Sequence, residues 1–163
     1  MKLIVHASKN WGIGRANALM FRIPKDMKFF RETTSGGVVI MGRKTLESFP
    51  NAKPLPNRIN IVLSQNSDFC AEGVTAVHSA EEAAQEAARY PDREVFVIGG
   101  AKIYELMLPY CDTALITRVM EDADADTFIR DFDSDPEWEL ASQSGEIEDN
   151  GHILRFCEYR RKV

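Results

Sequence analysis

Six short apolar runs, separated by stretches of helical character, constrain this chain more than any other feature. They fall at Lys2–Ala7, Val38–Met41, Ile59–Leu63, Val74–His78, Glu94–Ile98 and Ala114–Val119, each of strand length and most rich in Val and Ile. Helical candidates lie between several of them. Pro24–Thr34 opens on Pro, which is favoured at the first helical position. Thr45–Phe49 is short. Ser79–Arg89 begins with a capping box, Ser79-Ala80-Glu81-Glu82, and Gly100–Leu108 stops at Pro109. Strands that alternate with helices need crossover connections, and these produce a parallel sheet. The tail differs: Trp138–Gln143 and His152–Tyr159 flank Asp149-Asn150-Gly151, a hairpin turn signal, and predict an antiparallel ribbon on the sheet edge. The expectation is one three-layer α/β domain over residues 1–163. It has a mostly parallel central sheet, helices on both faces, an antiparallel C-terminal hairpin, and ligands at the carboxyl ends of the strands.

The 163 residues are 44% hydrophobic and 28% charged, the mix of a globular domain with its own core. A net charge of -5 argues against binding the nucleic-acid backbone, and Arg160-Arg161-Lys162 reads as a solvated end. Cys70, Cys111 and Cys157 are odd in number and widely spaced, without metal-type pairing, so free thiols in a reducing cytoplasm are expected. The apolar run after Met1 is too short for a signal peptide, and no stretch is long enough to span a membrane.

Asp26 is the residue this pattern does not absorb. In a helix, where each residue turns by about 100°, it falls on the oily side between Phe29 and Phe30, with Met27 just beyond. Lys25, Lys28, Arg31 and Glu32 gather opposite. A carboxylate aimed at a core costs several kcal/mol, to order of magnitude, unless something polar meets it. Either a buried partner or a ligand must satisfy Asp26, and no buried cation is evident in the sequence.

Several motifs imitate familiar sites. Gly37-Val38-Val39-Ile40-Met41-Gly42-Arg43-Lys44-Thr45 nearly spells a phosphate loop, but Arg43 interrupts it and the residues between the glycines are strand formers. What survives is a strand end at Gly42 leading to a helix start with two cations, suited to a phosphate or equally to an ordinary solvated turn. Gly12-Ile13-Gly14-Arg15-Ala16-Asn17 lacks the third glycine of a dinucleotide fingerprint and reads as a flexible loop over a site. Val97-Ile98-Gly99-Gly100-Ala101-Lys102 passes from strand through paired glycines into a helix, which serves a pyrophosphate or tight packing. Asp122-Ala123-Asp124-Ala125-Asp126 resembles the start of a calcium loop, yet Thr127 stands where glycine is required, so an acidic surface loop is expected and no metal. His6 inside the first strand reads as a satisfied core histidine, and His78 meets a phosphate or water. Trp11 and Trp138 carry no site signal by themselves.

Taken in order, these pieces resemble dihydrofolate reductase of the chromosomal bacterial type over essentially the whole chain. The matching stretches are Trp11-Gly12-Ile13-Gly14, Ile23-Pro24-Lys25-Asp26-Met27-Lys28-Phe29-Phe30, Ile40-Met41-Gly42-Arg43-Lys44-Thr45-Leu46-Glu47-Ser48, Pro54-Leu55-Pro56-Asn57-Arg58, Val97-Ile98-Gly99-Gly100 and Asp126-Thr127-Phe128. The resemblance implies hydride transfer from NADPH to 7,8-dihydrofolate with net addition of a proton. It implies that Asp26 is the pterin-binding acid, accepting two hydrogen bonds from the ring and favouring protonation of the reacting imine, and that the Thr117 hydroxyl supports it. Ile4, Val5, Met27, Phe30, Phe49 and Leu55 match the walls around the pterin and benzoyl rings. Arg58 matches the arginine that pairs with a substrate glutamate carboxylate.

For the cofactor, the resemblance implies that Gly42, Arg43, Lys44, Thr45, Leu63, Ser64, Gln65 and His78 face the adenosine phosphates. Ile98, Gly99, Gly100, Ala101, Lys102, Ile103 and Tyr104 match the nicotinamide and pyrophosphate side, with a cis peptide joining the two glycines. Gly14 to Ala18, with Asn17 among them, match a mobile loop over the nicotinamide, Ile13 before it is also implied on the cofactor side, and His6 stands where the family has a small residue facing the cofactor. No acidic residue follows the Ile59–Leu63 strand to claim a ribose hydroxyl, which favours NADPH over NADH. The chain departs from the family at Met20-Phe21, usually Pro-Trp, at His6, and at Arg130, usually proline. The family further implies a monomer that binds antifolate inhibitors. Two rivals are a reductase of the same fold acting on a riboflavin-pathway aminopyrimidine, whose substrate has no glutamate tail for Arg58, and a nucleotide-binding regulator without catalysis.

Overall fold

The computed structural model describes residues 1–163. Its elements run β1 (Lys2–Ala7), β2 (Gly12–Gly14), α1 (Pro24–Thr34), β3 (Val38–Gly42), α2 (Arg43–Ser48), β4 (Ile59–Leu63), β5 (Val74–Val77), α3 (Ala80–Ala87), β6 (Val95–Gly99), α4 (Ala101–Met107), β7 (Thr113–Val119), β8 (Thr127–Phe128), β9 (Trp138–Gln143), β10 (Ile147–Asp149) and β11 (His152–Arg161). The main sheet is ordered β10-β11-β7-β1-β6-β3-β4-β5, with β9 also on β11. The strands from β7 to β5 are parallel, and β11 runs antiparallel to β7. All six expected strands and four expected helices are present, with ends shifted by up to two residues.

Strand alternation sorts the core into two layers. Leu3, Val38, Ile40, Ile61, Leu63 and Val97 face one way and meet Ala83 and Ala87 of α3 and Ile103, Tyr104 and Met107 of α4. Their neighbours Ile4, Val39, Met41, Val62, Phe96 and Ile98 face the other way, against Leu46 of α2 and Phe29 and Phe30 of α1. Each such buried apolar side chain contributes about 1.5–3 kcal/mol relative to exposure. The helices are set by local chemistry as well. Ser79 Oγ accepts from the Glu82 N–H at 3.1 Å. The Glu82 carboxylate reaches one residue past the usual capping-box partner, accepting from the His78 N–H at 2.9 Å. Helix α4 ends in a 3-10 turn at Leu108–Tyr110, where Pro109 lacks the N–H an α-helix needs.

The tail is more elaborate than a single ribbon. Asn150 and Gly151 both take positive φ (51° and 80°), and their tight turn pairs Asp149 with His152. That register places β10, not β9, opposite the start of β11, while β9 pairs further along, at Cys157–Arg161. Ser144 bridges the two segments: its N–H donates to Phe156 O, and its Oγ accepts from Phe156 N–H, each at 2.9 Å.

Two short strands lie outside the alternating pattern. β2 pairs with β8 and fastens the loop that follows β2. The Asp126 N–H donates to Gly14 O at 3.1 Å, and the Ala16 N–H donates to Asp126 Oδ2 at 2.9 Å. Thr127 Oγ1 donates to Asp126 Oδ1 at 2.7 Å, and Arg15 pairs with Asp124 at 2.6 Å. The acidic stretch therefore latches the Gly14–Ala18 loop. The Ala16 amide and Thr127 hydroxyl hold the Asp126 carboxyl below its usual range. A depressed carboxyl pKa means the latch is intact above the ordinary carboxylate range and fails only as pH falls through the lowered value. Asp126→Ala is expected to raise amide hydrogen exchange at residues 14–18 at neutral pH without changing exchange in β3 or β4. Unchanged exchange in the loop would remove Asp126 from the latch.

Cys111 and Cys157 are buried and Cys70 is exposed. Burial pushes the Cys111 thiol up to about 11 and raises that of Cys157. A thiol reagent at pH 8 is expected to label one cysteine rapidly in the native protein and the other two only on unfolding, read by mass spectrometry.

Candidate active site

The chain order along the sheet reverses after β5, when β6 inserts between β3 and β1. Open sheets bind ligands at the carboxyl ends of strands beside such a reversal. A cavity of about 600 Å³ lies there, lined from β1, the loop after β2, α1, α2, β6 and α4, a size suited to a bound organic ligand. Among the expected residues, Ile4, Val5, His6, Ile13, Gly14, Asn17, Ala18, Asp26, Met27, Phe30, Thr45, Phe49, Ile98, Gly99, Gly100, Ala101 and Tyr104 line it. Met27 is 49% exposed although apolar, because it stands on this open wall rather than in the core.

Asp26 lies in the first turn of α1, which the Pro24 start brings against β1 and β7. Parallel pairing sets His6 of β1 beside Thr117 of β7, with both side chains on the α1 face. Thr117 Oγ1 donates to Asp26 Oδ1 at 2.6 Å, and His6 Nδ1 lies 3.0 Å from Asp26 Oδ2. The His6 and Asp26 side chains are only 6% and 13% exposed. The buried partner that the sequence did not disclose is therefore a histidine expected on the cofactor side. Its ring also lines the cavity, and its Nε2 is buried without a hydrogen bond. Phe21 stands 6.0 Å from the His6 ring and 5.1 Å, edge-on, from His152.

Tyr104 is buried and donates its hydroxyl to Ile4 O at 2.8 Å. Burial first, and then the Asp26 carboxylate, raise its phenol. Close approach at the glycines is demanded by packing. A Cβ on Gly42 would come 2.9 Å from Ile103 Cγ1, and one on Gly99 would come 3.2 Å from Thr45 Oγ1, where φ is also +137°. The Gly99–Gly100 peptide is cis.

The remaining expected residues lie beyond the cavity wall. Thr117 is buried behind Asp26. Gly42 ends β3 beside Leu63 of β4, with Ser64 and Gln65 following. Arg43, Lys44 and His78 are exposed at the carboxyl ends of β3 and β5. His78 Nδ1 lies 2.9 Å from Ser64 O, so that nitrogen carries the proton and Nε2 remains free. Lys102 is exposed, and Ile103 is buried under Gly42. Leu55 packs against the layer formed by Ile4, Val39 and Met41. Arg58 is partly buried, its Nε has no partner, and burial together with the nearby Arg31 lowers its guanidinium.

Two contributors escaped sequence reasoning. Arg31 reads as a solvent-face cation of α1, yet it lines the cavity and acts on Arg58. Asn60 holds the loop that carries Arg58: its Oδ1 accepts from Leu55 N–H at 3.0 Å, and its Nδ2 donates to Leu55 O at 2.9 Å and Arg58 O at 3.1 Å. A buried amide between Ile59 and Ile61 was the available signal, since such a group must find partners. Arg130, at the position where proline is usual, ties the segment after β8 to Glu105 of α4 and to Asp135, both at 2.9 Å.

Comparison with known proteins agrees with this geometry. A family model described as dihydrofolate reductase matches residues 1–161. The dihydrofolate reductase of Bacillus subtilis is 37% identical over 152 residues, 92% of this chain and 88% of that protein. Those of Neisseria gonorrhoeae and Haemophilus influenzae are 37% and 38% identical, each covering 98% of this chain and 97% and 98% of their own. Among solved structures, dihydrofolate reductase from Enterococcus faecalis complexed with NADP(H) and RAB-propyl superposes with a TM-score of 0.88 at 33% identity, over 99% of this chain and 96% of that one. The chain belongs to the dihydrofolate reductase family.

Proposed function

We propose that Asp26 is the pterin-orienting acid of this enzyme, which reduces 7,8-dihydrofolate to 5,6,7,8-tetrahydrofolate with NADPH. The observation that carries the assignment is a carboxylate in an apolar cavity wall, held by a donor on each oxygen. A carboxylate offers about four lone-pair sites, so one on each oxygen is left for the paired amino and ring N–H donors of a pterin. Negative charge on that edge of the ring draws a proton toward the imine nitrogen and makes the adjacent carbon a better hydride acceptor. Ile4, Val5, Met27, Phe30, Phe49 and Leu55 form the apolar walls that hold the ring system and exclude water. Arg58, with Arg31 beside it, takes the glutamate carboxylate. Its unpartnered buried Nε and the proximity of two cations fit an anionic ligand.

Bound NADPH supplies the hydride. The residues present fit it: Gly14, Gly99 and Gly100 keep the backbone bare where the nicotinamide side is assigned, while Arg43, Lys44, Ser64, Gln65 and His78 gather at strand ends suited to phosphates. We further propose a single-domain cytoplasmic monomer, supported by one sheet that unites β1 with β11 through β7 and by three free thiols. We also infer that its cavity takes antifolate inhibitors, the Enterococcus faecalis relative having been solved with RAB-propyl beside NADP(H). The aminopyrimidine reductase reading is not favoured, because that substrate leaves Arg58 without a carboxylate and the family match runs from residue 1 to 161.

Loss of NADPH absorbance on adding dihydrofolate, beside the same assay with the aminopyrimidine, tests the activity. Asp26→Asn is expected to lower single-turnover hydride transfer about 10²–10⁴-fold near neutral pH while leaving NADPH affinity within about twofold, because of the two ligands it is the pterin that the lost charge is assigned to hold. Wild-type rates would remove Asp26 from the mechanism. Arg58→Ala is expected to raise the KM for dihydrofolate about 10- to 100-fold, as for a lost hydrogen bond to a charged group. Equal losses with a pterin lacking glutamate would refute the carboxylate pairing.

A further inference from the structure

Parallel pairing of β1 with β7 brings two donors to one carboxylate. Thr117 Oγ1 meets Oδ1 at 2.6 Å from one strand, and His6 Nδ1 meets Oδ2 at 3.0 Å from the next. With Asp26 ionised, His6 Nδ1 must carry a proton to donate to the carboxylate, which leaves Nε2 as the ring nitrogen without a partner. That atom is buried and unpartnered, in a residue only 7% exposed that lines the ligand cavity. A histidine placed merely to fill the core would leave this nitrogen unsatisfied for no return. Its one hydrogen bond goes to the carboxylate.

We propose that His6 is a positioning residue for Asp26. Acting with Thr117, it fixes the plane of the carboxylate so that one lone pair on each oxygen points to the donors of a bound pterin. The inference rests on the reading of Asp26 as the pterin acid. A carboxylate held at one oxygen only can rotate about its terminal bond, since such torsions are broad and roughly two-fold. A second donor on the other oxygen removes that freedom before the ligand arrives, and pre-organisation of this kind acts on hydride transfer more than on cofactor binding.

The test is a double-mutant cycle on the whole enzyme, read by single-turnover hydride transfer, KM for dihydrofolate and NADPH affinity. His6→Leu, which removes the donor, is expected to slow hydride transfer about tenfold and raise KM severalfold, with NADPH affinity within about twofold. His6→Asn, whose side-chain amide can donate from nearly the Nδ1 position, is expected to restore the rate to within about threefold of wild type. In an Asp26→Asn background, His6→Leu is expected to change the rate by less than about twofold, because the two residues act as one unit. Losses that multiply in the double variant overturn the inference, as does a His6→Leu enzyme that loses NADPH affinity but keeps its rate. Should His6→Leu fail to fold, failure of His6→Asn to keep the wild-type rate and KM overturns it. Full activity of Asp26→Asn would instead sink the reading of Asp26, whereas an impaired Asp26→Asn beside an unimpaired His6→Leu sinks this inference alone.

Discussion

The parallel pairing of β1 with β7 is the constraint on which the site depends. Side chains of a strand alternate faces, so this register decides which residues meet α1. Leu3 goes to the α3–α4 layer and Ile4 to the α1–α2 layer, and His6 follows Ile4. Thr117 sits at the same level one strand away. A slip of one residue would exchange His6 for Ala7 and leave Asp26 facing a methyl group. The same pairing that builds the core therefore satisfies the one carboxylate that the core could not otherwise tolerate, a group whose unmet burial costs several kcal/mol to order of magnitude.

The second constraint is close approach at the strand ends. Gly42 accommodates Ile103 and Gly99 accommodates Thr45, so α4 and α2 close down beside β3 and β6 with bare backbone between them. That crowding holds the cavity floor still. Its rim is held by weaker means: the Gly14–Ala18 loop is largely exposed and hangs from the β2–β8 pair and the Asp126 carboxylate. Rigid floor and lightly latched rim are the division expected where a ligand must enter and then be enclosed.

Strand and helix patterning was legible because apolar alternation and local caps are local signals. β1, β4 and α1 coincide with the expected spans, and Ser79 caps α3 as its sequence predicts. The tail was legible only in part, because a two-residue turn fixes register and leaves open which upstream segment occupies it. β2 and β8 escaped notice since strands of three and two residues carry no periodicity. In the site, helical periodicity singled out Asp26, and the resemblance supplied its role together with Thr117 and the cavity walls. The histidine partner was hidden for a different reason. Whether His6 faces the cofactor or the acid depends on a side-chain torsion and on the placement of α1, and neither is written in the spacing. Arg31 was likewise misplaced by helical periodicity, which distinguishes core from surface but not open surface from the wall of a cleft.

Charge distribution explains how a chain of net charge -5 accommodates two anionic ligands. At physiological salt a surface charge is screened within about 8 Å, so a ligand responds to the groups around its own site and little to the total. Arg43 and Lys44 lie at the end of β3, Arg31 lines the cavity near Arg58, and Asp26 supplies the single carboxylate of the cavity wall. Many of the acidic residues are spent elsewhere, on the Asp124 and Asp126 latch, on Asp133 and Asp135 with their arginines, and on exposed ion pairs. A ligand in the cleft therefore meets cations near its site and one carboxylate that is fixed by His6 and Thr117 yet keeps a lone pair free on each oxygen, a polarity that orients a ligand with a donor-edged ring and an acidic tail.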